Sequence, residues 1–440
     1  MELNSISMNI PKVNLPRVVV IGAGFAGLKL AKNLNANAYQ LVLIDKHNFH
    51  TFQPLMYQVA SAGLEPDSIA YPIRKTLKGK KNTFYRLTDV QEVQLNSKTI
   101  ETDIGTLKYD YLVIATGATN NFFGNNSIEA NAVPMKSLVD ALNLRSKILQ
   151  NFERALNTND LELRNSLMNF VIVGAGPTGV ELAGALAELR NKILPLDFPD
   201  LDLRQMRINL VEASPRVLSA MSEESSEKAH QYLSDLGVDI WTYTFVKSYE
   251  DQMIVTSGEN FRSHNLIWAA GVKGHFPSGI ESSLIAKGNR IIVNDCLKIK
   301  GYNDVFVLGD AASIESEKYP KGLPMMGSVA MQQGAYLAKQ LNQLAKGKEQ
   351  KPFVYLDRGT MATIGKNKAV VEISKMKFQG MMAWMVWMFV HLMLLVGFRN
   401  RVVVFVNWAW NYFKTNNALR LIIRPYKEPV GLKEQETTAP

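Results

Sequence analysis

Short apolar runs that end in glycine dominate most of this chain. Arg17–Ile21 is a β-branched run, followed by Gly22-Ala-Gly-Phe-Ala-Gly27 and a helix-like stretch over 28–34. The same order returns about 150 residues later: Asn169–Val173, then Gly174-Ala-Gly-Pro-Thr-Gly179, then a helix-like stretch over 180–189. Runs this short read as buried parallel strands, not helices. The spacing of the two copies lies far beyond any solenoid period. Further apolar runs ending in glycine supply partner strands, at 109–118 for the first copy and 266–272 for the second, with a third at 304–310. Between the copies, 119–165 reads as a connector with helical periodicity over 137–152. From Met381 the pattern changes. Residues 381–398 carry no charge and are interrupted only by His391 and Gly397; Arg399-Asn-Arg401 follows, and 402–413 is again apolar, with Asn407 and Asn411 on one helical face.

This pattern predicts an α/β protein with two Rossmann-like dinucleotide-binding domains, the second inserted in the first. The first would occupy 1–118 and 280–370, with the connector at 119–165 and the inserted domain at 166–279. A C-terminal amphipathic, helical, membrane-anchoring region would occupy 371–440. Eighteen uncharged residues are just enough for a spanning helix. The bulky side chains, the His and the adjoining arginines favour interfacial helices lying in one leaflet. A buried core or dimer helix pair is the alternative, since Met and Trp at helical spacing also build cores.

Composition narrows the chemistry. With 47% hydrophobic and 20% charged residues the chain is of ordinary globular make-up. A lone cysteine, Cys296, excludes an internal disulfide, a redox-active Cys pair and a Cys-rich metal site; it reads as a buried structural residue near a strand. Six histidines show no metal-binding spacing, so no metal is expected. The net charge is +9, and 376–440 holds eight Lys/Arg (Lys377, Arg399, Arg401, Lys414, Arg420, Arg424, Lys427, Lys433) against three Glu (Glu428, Glu434, Glu436). Four of the six Trp lie there too. Basic residues beside aromatic runs point to an anionic membrane surface, not to nucleic acid. Residues 1–16 are polar with no apolar leader core, so the bulk of the protein is expected in the cytoplasm.

Each glycine fingerprint has a physical logic. Gly22 allows a tight turn, Gly24 lets the backbone approach a pyrophosphate, and Gly27 lets the helix pack on its strand, with the helix N-terminus facing the anion. Asp45, at the end of an apolar run about 20 residues on, can bind ribose hydroxyls. Gly174, Gly176 and Gly179 repeat the device with Glu212, after a longer spacing caused by a polar, Pro-containing insertion at 195–205. Gly309-Asp310 would return an acidic side chain to the first site, or is simply a turn. Glu212 would repel a 2′-phosphate and favours NADH over NADPH; Arg216 nearby keeps NADPH open.

These residues, with His50-Thr-Phe-Gln-Pro-Leu-Met-Tyr-Gln-Val-Ala60, Trp268-Ala-Ala-Gly271, Val307-Leu-Gly-Asp-Ala-Ala312 and Val329-Ala-Met-Gln-Gln-Gly334, resemble the two-dinucleotide-binding-domain flavoproteins. Within them the chain resembles the type II NADH:quinone oxidoreductases, the single-chain respiratory NADH dehydrogenases that pump no protons. The resemblance runs from about Arg17 to Pro425. It implies an enzyme that moves a hydride from NADH to FAD and two electrons on to a membrane quinone, ubiquinone or menaquinone. It implies FAD held by Gly22, Gly24, Phe25, Ala26, Gly27, Asp45, Lys46, Gln53, Val90, Ala115, Thr116, Gly117, Asp310 and Gln332. It implies NADH held by Gly174, Gly176, Pro177, Thr178, Gly179, Glu181, Glu212, Ala270 and Gly271. A homodimer, peripheral on the cytoplasmic side of the cell inner membrane, is expected. Ser328 stands where the family's quinone-site pattern has its first Gln, a departure that bears on headgroup preference.

Catalytic candidates are Glu181, Gln332 and Lys366. Glu181, on the first turn of the second fingerprint helix, would by resemblance face nicotinamide and flavin and orient the one or gate protons; an ordinary acid favoured by the helix dipole is the alternative. Gln332 and Gln333 are read as beginning a helix over 332–344, whose N-terminus would stabilise negative charge on a flavin, or as a solvated pair. Lys366 and Lys368 would place a cation by flavin or quinone, or are solvated loop charges. His47, His50 and Gln53 precede a Pro-Leu-Met-Tyr run that would cover the flavin, or they serve structure. Two other readings stay open: a related flavin reductase with another acceptor, and a membrane-tethered NADH sensor.

Overall fold

The computed structural model describes residues 7–414, 419–423 and 425–427. Of the tail charges counted above, Arg424, Lys433 and the three Glu lie outside the described residues. The chain divides into two compact units, one of 1–51, 70–119 and 272–357, the other of 52–69, 120–271 and 358–440. The division differs from the expected boundaries. Residues 52–69 and 358–370 fall with the second unit, as does most of the connector, while 272–279 falls with the first.

In the first unit, Arg17–Ile21 is the middle of a five-stranded parallel sheet. Tyr111–Ile114 and Val305–Val307 lie on one side; Gln40–Asp45 and Thr83–Leu87 lie on the other. The three central strands and the edge strand Val305–Val307 are almost wholly buried, which explains why they read as continuous apolar runs with no polar face. The helices Phe25–Asn33 and Gly327–Leu344 pack on each other so closely that a Cβ at Gly334 would fall 2.2 Å from the Ala26 carbonyl oxygen.

The second unit repeats the plan. Asn169–Val173 is flanked by Asn265–Trp268 and Val133–Pro134 on one side, and by Arg207–Val211 and Asp239–Trp241 on the other, all parallel. The helix Leu138–Leu156 starts at a capping box of Ser137 and Asp140 and runs four residues past the expected end. A three-stranded antiparallel meander, Thr360–Thr363, Ala369–Ile373 and Met376–Gln379, leads into two helices, Gly380–Leu394 and Phe398–Phe413. Gly397, at φ +90°, makes the break between them. No helix among the described residues is long and apolar enough to cross a membrane.

Several element bounds correct the reading from periodicity. Both fingerprint helices start three residues early, at Phe25 and Pro177, because Gly27 and Gly179 sit inside the first turn, where low helix propensity hid them. The insertion at 195–205 begins as helix: Pro177–Glu188 continues through a π-helical turn at Leu189–Ile193 into Leu194–Asp197. Cys296 is half-exposed in a turn rather than buried, its amide held by the Asn294 side chain at 3.0 Å.

Candidate functional site

The first glycine turn is built by steric necessity. Gly22 has φ +101°, and a Cβ there would lie 2.4 Å from the Ala115 carbonyl oxygen. A Cβ at Gly27 would lie 1.8 Å from the Gly22 oxygen. At Gly24 and Gly117 no atom lies within 4 Å of that position, so the backbone there is open to a neighbour. The helix that starts at Phe25 has no side-chain cap and no acidic residue in its first turn, leaving its N–H groups for another acceptor. Asp45 accepts the Ala23 amide at 2.6 Å and the His47 amide at 2.7 Å.

Around this turn, Ala115 and Val90 are buried and Lys46 is exposed. The Thr116 hydroxyl donates to the His275 carbonyl, and the His275 amide donates to the Gly117 carbonyl at 3.0 Å. Asp310 lies in the short turn Gly309–Ala311, where the Gly309 amide donates to the Gln333 side chain at 2.6 Å. His50 is buried, donates from Nδ1 to the Ala23 carbonyl at 3.0 Å, and meets Phe25 edge-on at 5.2 Å. Burial lowers its pKa, so it supports the loop as a neutral ring. Gln53 is exposed and falls in the other unit.

The second turn copies the first bond for bond. Gly174 has φ +98°, with a Cβ position 2.5 Å from the Ala270 Cα; a Cβ at Gly179 would lie 1.9 Å from the Gly174 oxygen; Gly176 is open. Pro177 and Thr178 begin the helix and are exposed, again with no acidic residue in the first turn. Glu212 accepts the Ala175 amide at 2.6 Å and the Ser214 amide at 2.8 Å. Gly271 leaves room for the Phe123 ring, which a Cβ would approach to 3.0 Å. Arg216 donates to the Ser219 carbonyl at 3.3 Å.

Glu181 is the fifth residue of its helix, not a first-turn residue, so the dipole has little hold on it. It is buried, at 7% exposure, and its Oε1 accepts the Thr363 amide at 3.4 Å. Burial pushes its carboxyl up to about 8. Tyr57 lies buried in the same unit; burial, with Glu181 nearby, raises its phenol well above the usual range. Trp387 and His391, from the helix Gly380–Leu394, stack at 4.1 Å and complete this cluster. Sequence reading passed over Tyr57 and Trp387; the available signal was the four-residue spacing of Trp387 and His391 in an uncharged run.

Gln332 does not begin a helix. That helix starts at Gly327, and Gln332 lies in its second turn, its amide bonded both ways to the Leu356 backbone at 2.9 and 3.0 Å. Ser328, in the first turn, shares a hydrogen bond with the Tyr355 hydroxyl at 3.2 Å. Lys366 is no solvated loop charge: its ammonium donates to the Tyr412 carbonyl at 2.7 Å, 4.0 Å from that ring's centre. Lys368 reaches Asp235 at 3.5 Å.

The last two helices bury Ala383, Trp387 and Val404 but leave many of their large apolar side chains exposed. Their buried positions include His391 and Asn400, while Met382, Phe389, Phe398, Phe405, Trp410 and Phe413 are exposed, Phe398 at 81% and Phe413 at 83%. Such a contiguous apolar face marks an interaction surface.

Comparison with known proteins agrees with this geometry. Residues 16–334 match the family described as pyridine nucleotide-disulphide oxidoreductase, and 358–415 match the NDH2 C-terminal domain. The type II NADH:quinone oxidoreductase Ndh of Mycobacterium tuberculosis is 34% identical over 91% of this chain and 88% of its own length. That of Staphylococcus epidermidis is 30% identical over 80% of this chain and 89% of its own. The solved structure of NDH2 from Plasmodium falciparum in complex with NADH superposes with a TM-score of 0.85 at 20% identity, covering 93% of this chain and all of that one. The sulfide:quinone oxidoreductase of Aquifex aeolicus gives 0.68 at 19% identity, covering 91% and 96%. The chain therefore belongs to the pyridine nucleotide-disulphide oxidoreductase family and, within it, to the type II NADH:quinone oxidoreductases.

Proposed function

We propose that this protein is a membrane-associated, FAD-dependent NADH:quinone oxidoreductase. One observation carries the reading: the match to a curated enzyme of that activity is 34% identical across 91% of the chain, and the family match over residues 16–334 takes in both glycine turns. The residues fit the cofactor. The open backbone at Gly24 and Gly117, beside a helix start without an internal acceptor, suits the pyrophosphate of FAD. Phe25, Ala26, Asp45, Lys46, Val90, Ala115, Thr116 and Asp310 would complete that site. When bound, FAD supplies the redox chemistry, taking two electrons from NADH and giving them to the quinone.

The chain's own residues do the rest. Gly176, Pro177, Thr178, Gly179, Ala270 and Gly271 seat the NADH. Glu212 holds its ribose and, as a carboxylate, disfavours a 2′-phosphate. Glu181, buried with its carboxyl pushed up to about 8, holds a proton and yields it as the quinone is reduced. Gln332 fixes the Leu356 backbone, and Lys366 keeps a cation beside Tyr412. The exposed apolar helices dip into one leaflet, with Arg399, Arg401 and Lys414 set against anionic headgroups. The protein is peripheral on the cytoplasmic face of the inner membrane, where NADH and a lipid-soluble quinone, ubiquinone or menaquinone, are both within reach. A homodimer would draw on the part of the apolar surface not turned to lipid.

Full-length protein should be yellow, be bleached by NADH and recover its colour when a quinone is added. A colourless protein, or one whose NADH oxidation ignores quinone, overturns the reading.

A further inference from the structure

We propose that Tyr57 donates a hydrogen bond to a carbonyl oxygen of the bound quinone, and that Trp408, on the helix Phe398–Phe413, is a positioning residue that keeps Tyr57 a donor by acting through Gln58. The inference deepens the proposed quinone reduction and rests on it.

Chemistry fixes the polarity of this chain of bonds. An indole N–H can only donate. That of Trp408 donates to the Gln58 side-chain oxygen at 2.8 Å, so the NH2 of the same amide is left to face Tyr57. The NH2 donates to the Tyr57 hydroxyl oxygen at 2.8 Å. In the one hydrogen bond that its hydroxyl makes among the described residues, Tyr57 is therefore the acceptor, and its own hydrogen is left for another partner. Without Trp408 the amide would be able to turn over, present its oxygen and take that hydrogen for itself.

A second observation points to an acceptor that a ligand supplies. Tyr57 is 6% exposed and Trp387 1%. Their ring centres lie 6.4 Å apart, and the buried Trp387 indole nitrogen has no partner among the described residues. Two buried donors in one aromatic cluster thus lack an acceptor, which is costly unless a bound molecule provides one. A quinone headgroup fits that need: it is flat and apolar, with carbonyl oxygens that accept and cannot donate. Those oxygens gain charge as electrons arrive, so a donor already in place stabilises them most at that moment. Burial raises the Tyr57 phenol well above its usual range, so Tyr57 lends its hydrogen and keeps its proton. The proton comes from Glu181, whose helix Pro177–Glu188 packs on the helix Met56–Ala60 that carries Tyr57.

The arrangement is fastened from the helix that is proposed to meet lipid. Asn400 donates to the Asp67 carbonyl at 3.1 Å, and Asn411 to the Gly63 carbonyl at 3.3 Å. With Trp408 they pin one helical face along residues 58–67, and Val404 on that face is fully buried. The helix that would lie in the leaflet therefore also orients the hydroxyl that meets the lipid-soluble substrate.

The test uses the full-length, flavin-loaded protein, NADH and a short-chain benzoquinone, with rapid mixing to separate the two half-reactions. In Y57F, NADH should bleach the flavin at the wild-type rate, while kcat/KM for the quinone falls about threefold to tenfold, the worth of one hydrogen bond. W408F should give a fall no larger than that of Y57F, and none beyond it in the double variant Y57F/W408F. Q58M, which removes both arms of the amide, takes the place of W408F in the same cycle if W408F does not retain flavin. A merely structural role would slow both half-reactions. Equal kcat/KM for quinone in Y57F and wild type overturns the contact, and losses that multiply in the double variant overturn the role of Trp408. Wild type that is bleached by NADH yet passes nothing to quinone sinks the underlying function instead, and this proposal with it.

Discussion

Glu212 accepts the amide hydrogen of Ala175 at 2.6 Å, so the acid that ends one strand clamps the glycine turn that follows the neighbouring one. Asp45 and Ala23 make the same bond at the same length in the other unit. In each unit the carboxylate therefore shapes the glycine turn, and in the proposed reading it also contacts a ribose. Removing it should leave a loop amide unpaired and a ribose uncontacted. E212A should raise the KM for NADH roughly tenfold to a hundredfold with a smaller effect on kcat, and D45A should lower retained flavin by a comparable factor. Steady-state kinetics and the ratio of flavin to protein absorbance read the two effects.

The glycines of one turn should separate by role. G22A forces a side chain at φ +101° to within 2.4 Å of the Ala115 oxygen and should cost about 2–4 kcal/mol of stability. G24A meets nothing within 4 Å and should fold normally while binding FAD less tightly. Melting temperatures of the flavin-free proteins, compared with their flavin affinities, distinguish the two.

Glu181 should leave a signature in stability. Its carboxyl is raised from 4.5 to about 8 in the folded state, so between those values the folded protein binds more protons than the unfolded chain. The stability it contributes is full below about pH 4.5 and is lost as pH rises through 8. E181Q, with no proton to lose, should gain relative to wild type across that window by on the order of a few kcal/mol, and the gain should level off above it. Denaturant unfolding at pH 5, 7 and 9 gives the comparison.

Membrane attachment should depend on the exposed face of the last two helices. Phe389 and Phe398 are 64% and 81% exposed, and each stands to bury an aromatic ring in lipid. At roughly 2 kcal/mol each, replacing both with Glu should weaken binding to anionic vesicles by at least a hundredfold while flavin content stays unchanged. Co-sedimentation should also weaken as salt rises, through the flanking Arg399, Arg401 and Lys414.

Cys296 should be dispensable. It is half-exposed in a turn, and its amide is held by the Asn294 side chain whatever its own side chain carries. C296S should keep its quinone-dependent NADH oxidation within about twofold of wild type, with the small change expected of a surface site. Loss of turnover would revive a cysteine-dependent mechanism.

Much of this was legible in the chain because it is local. A glycine fingerprint states its own geometry: Gly22 and Gly174 need left-handed backbone, Gly27 and Gly179 need a missing Cβ, and the apolar run before each must be a strand buried on both faces. The acid that ends the next strand follows at a readable distance. What depends on long-range packing was not legible. The start of the helix at Gly327, which moves Gln332 off the N-terminus, is set by glycines that must approach Phe25 and Ala26, about 300 residues away in the chain. Lys366 found Tyr412, and residues 52–69 joined the second unit, through partners that share no sequence period with them. The same holds for Glu181. Its residue type and position were evident, but the burial that lifts its carboxyl, and the Thr363 amide that partly offsets it, come from segments far apart in the chain whose meeting only tertiary packing decides. Periodicity reports what a residue needs from its neighbours in the chain; burial and charge state report what the folded chain brings around it.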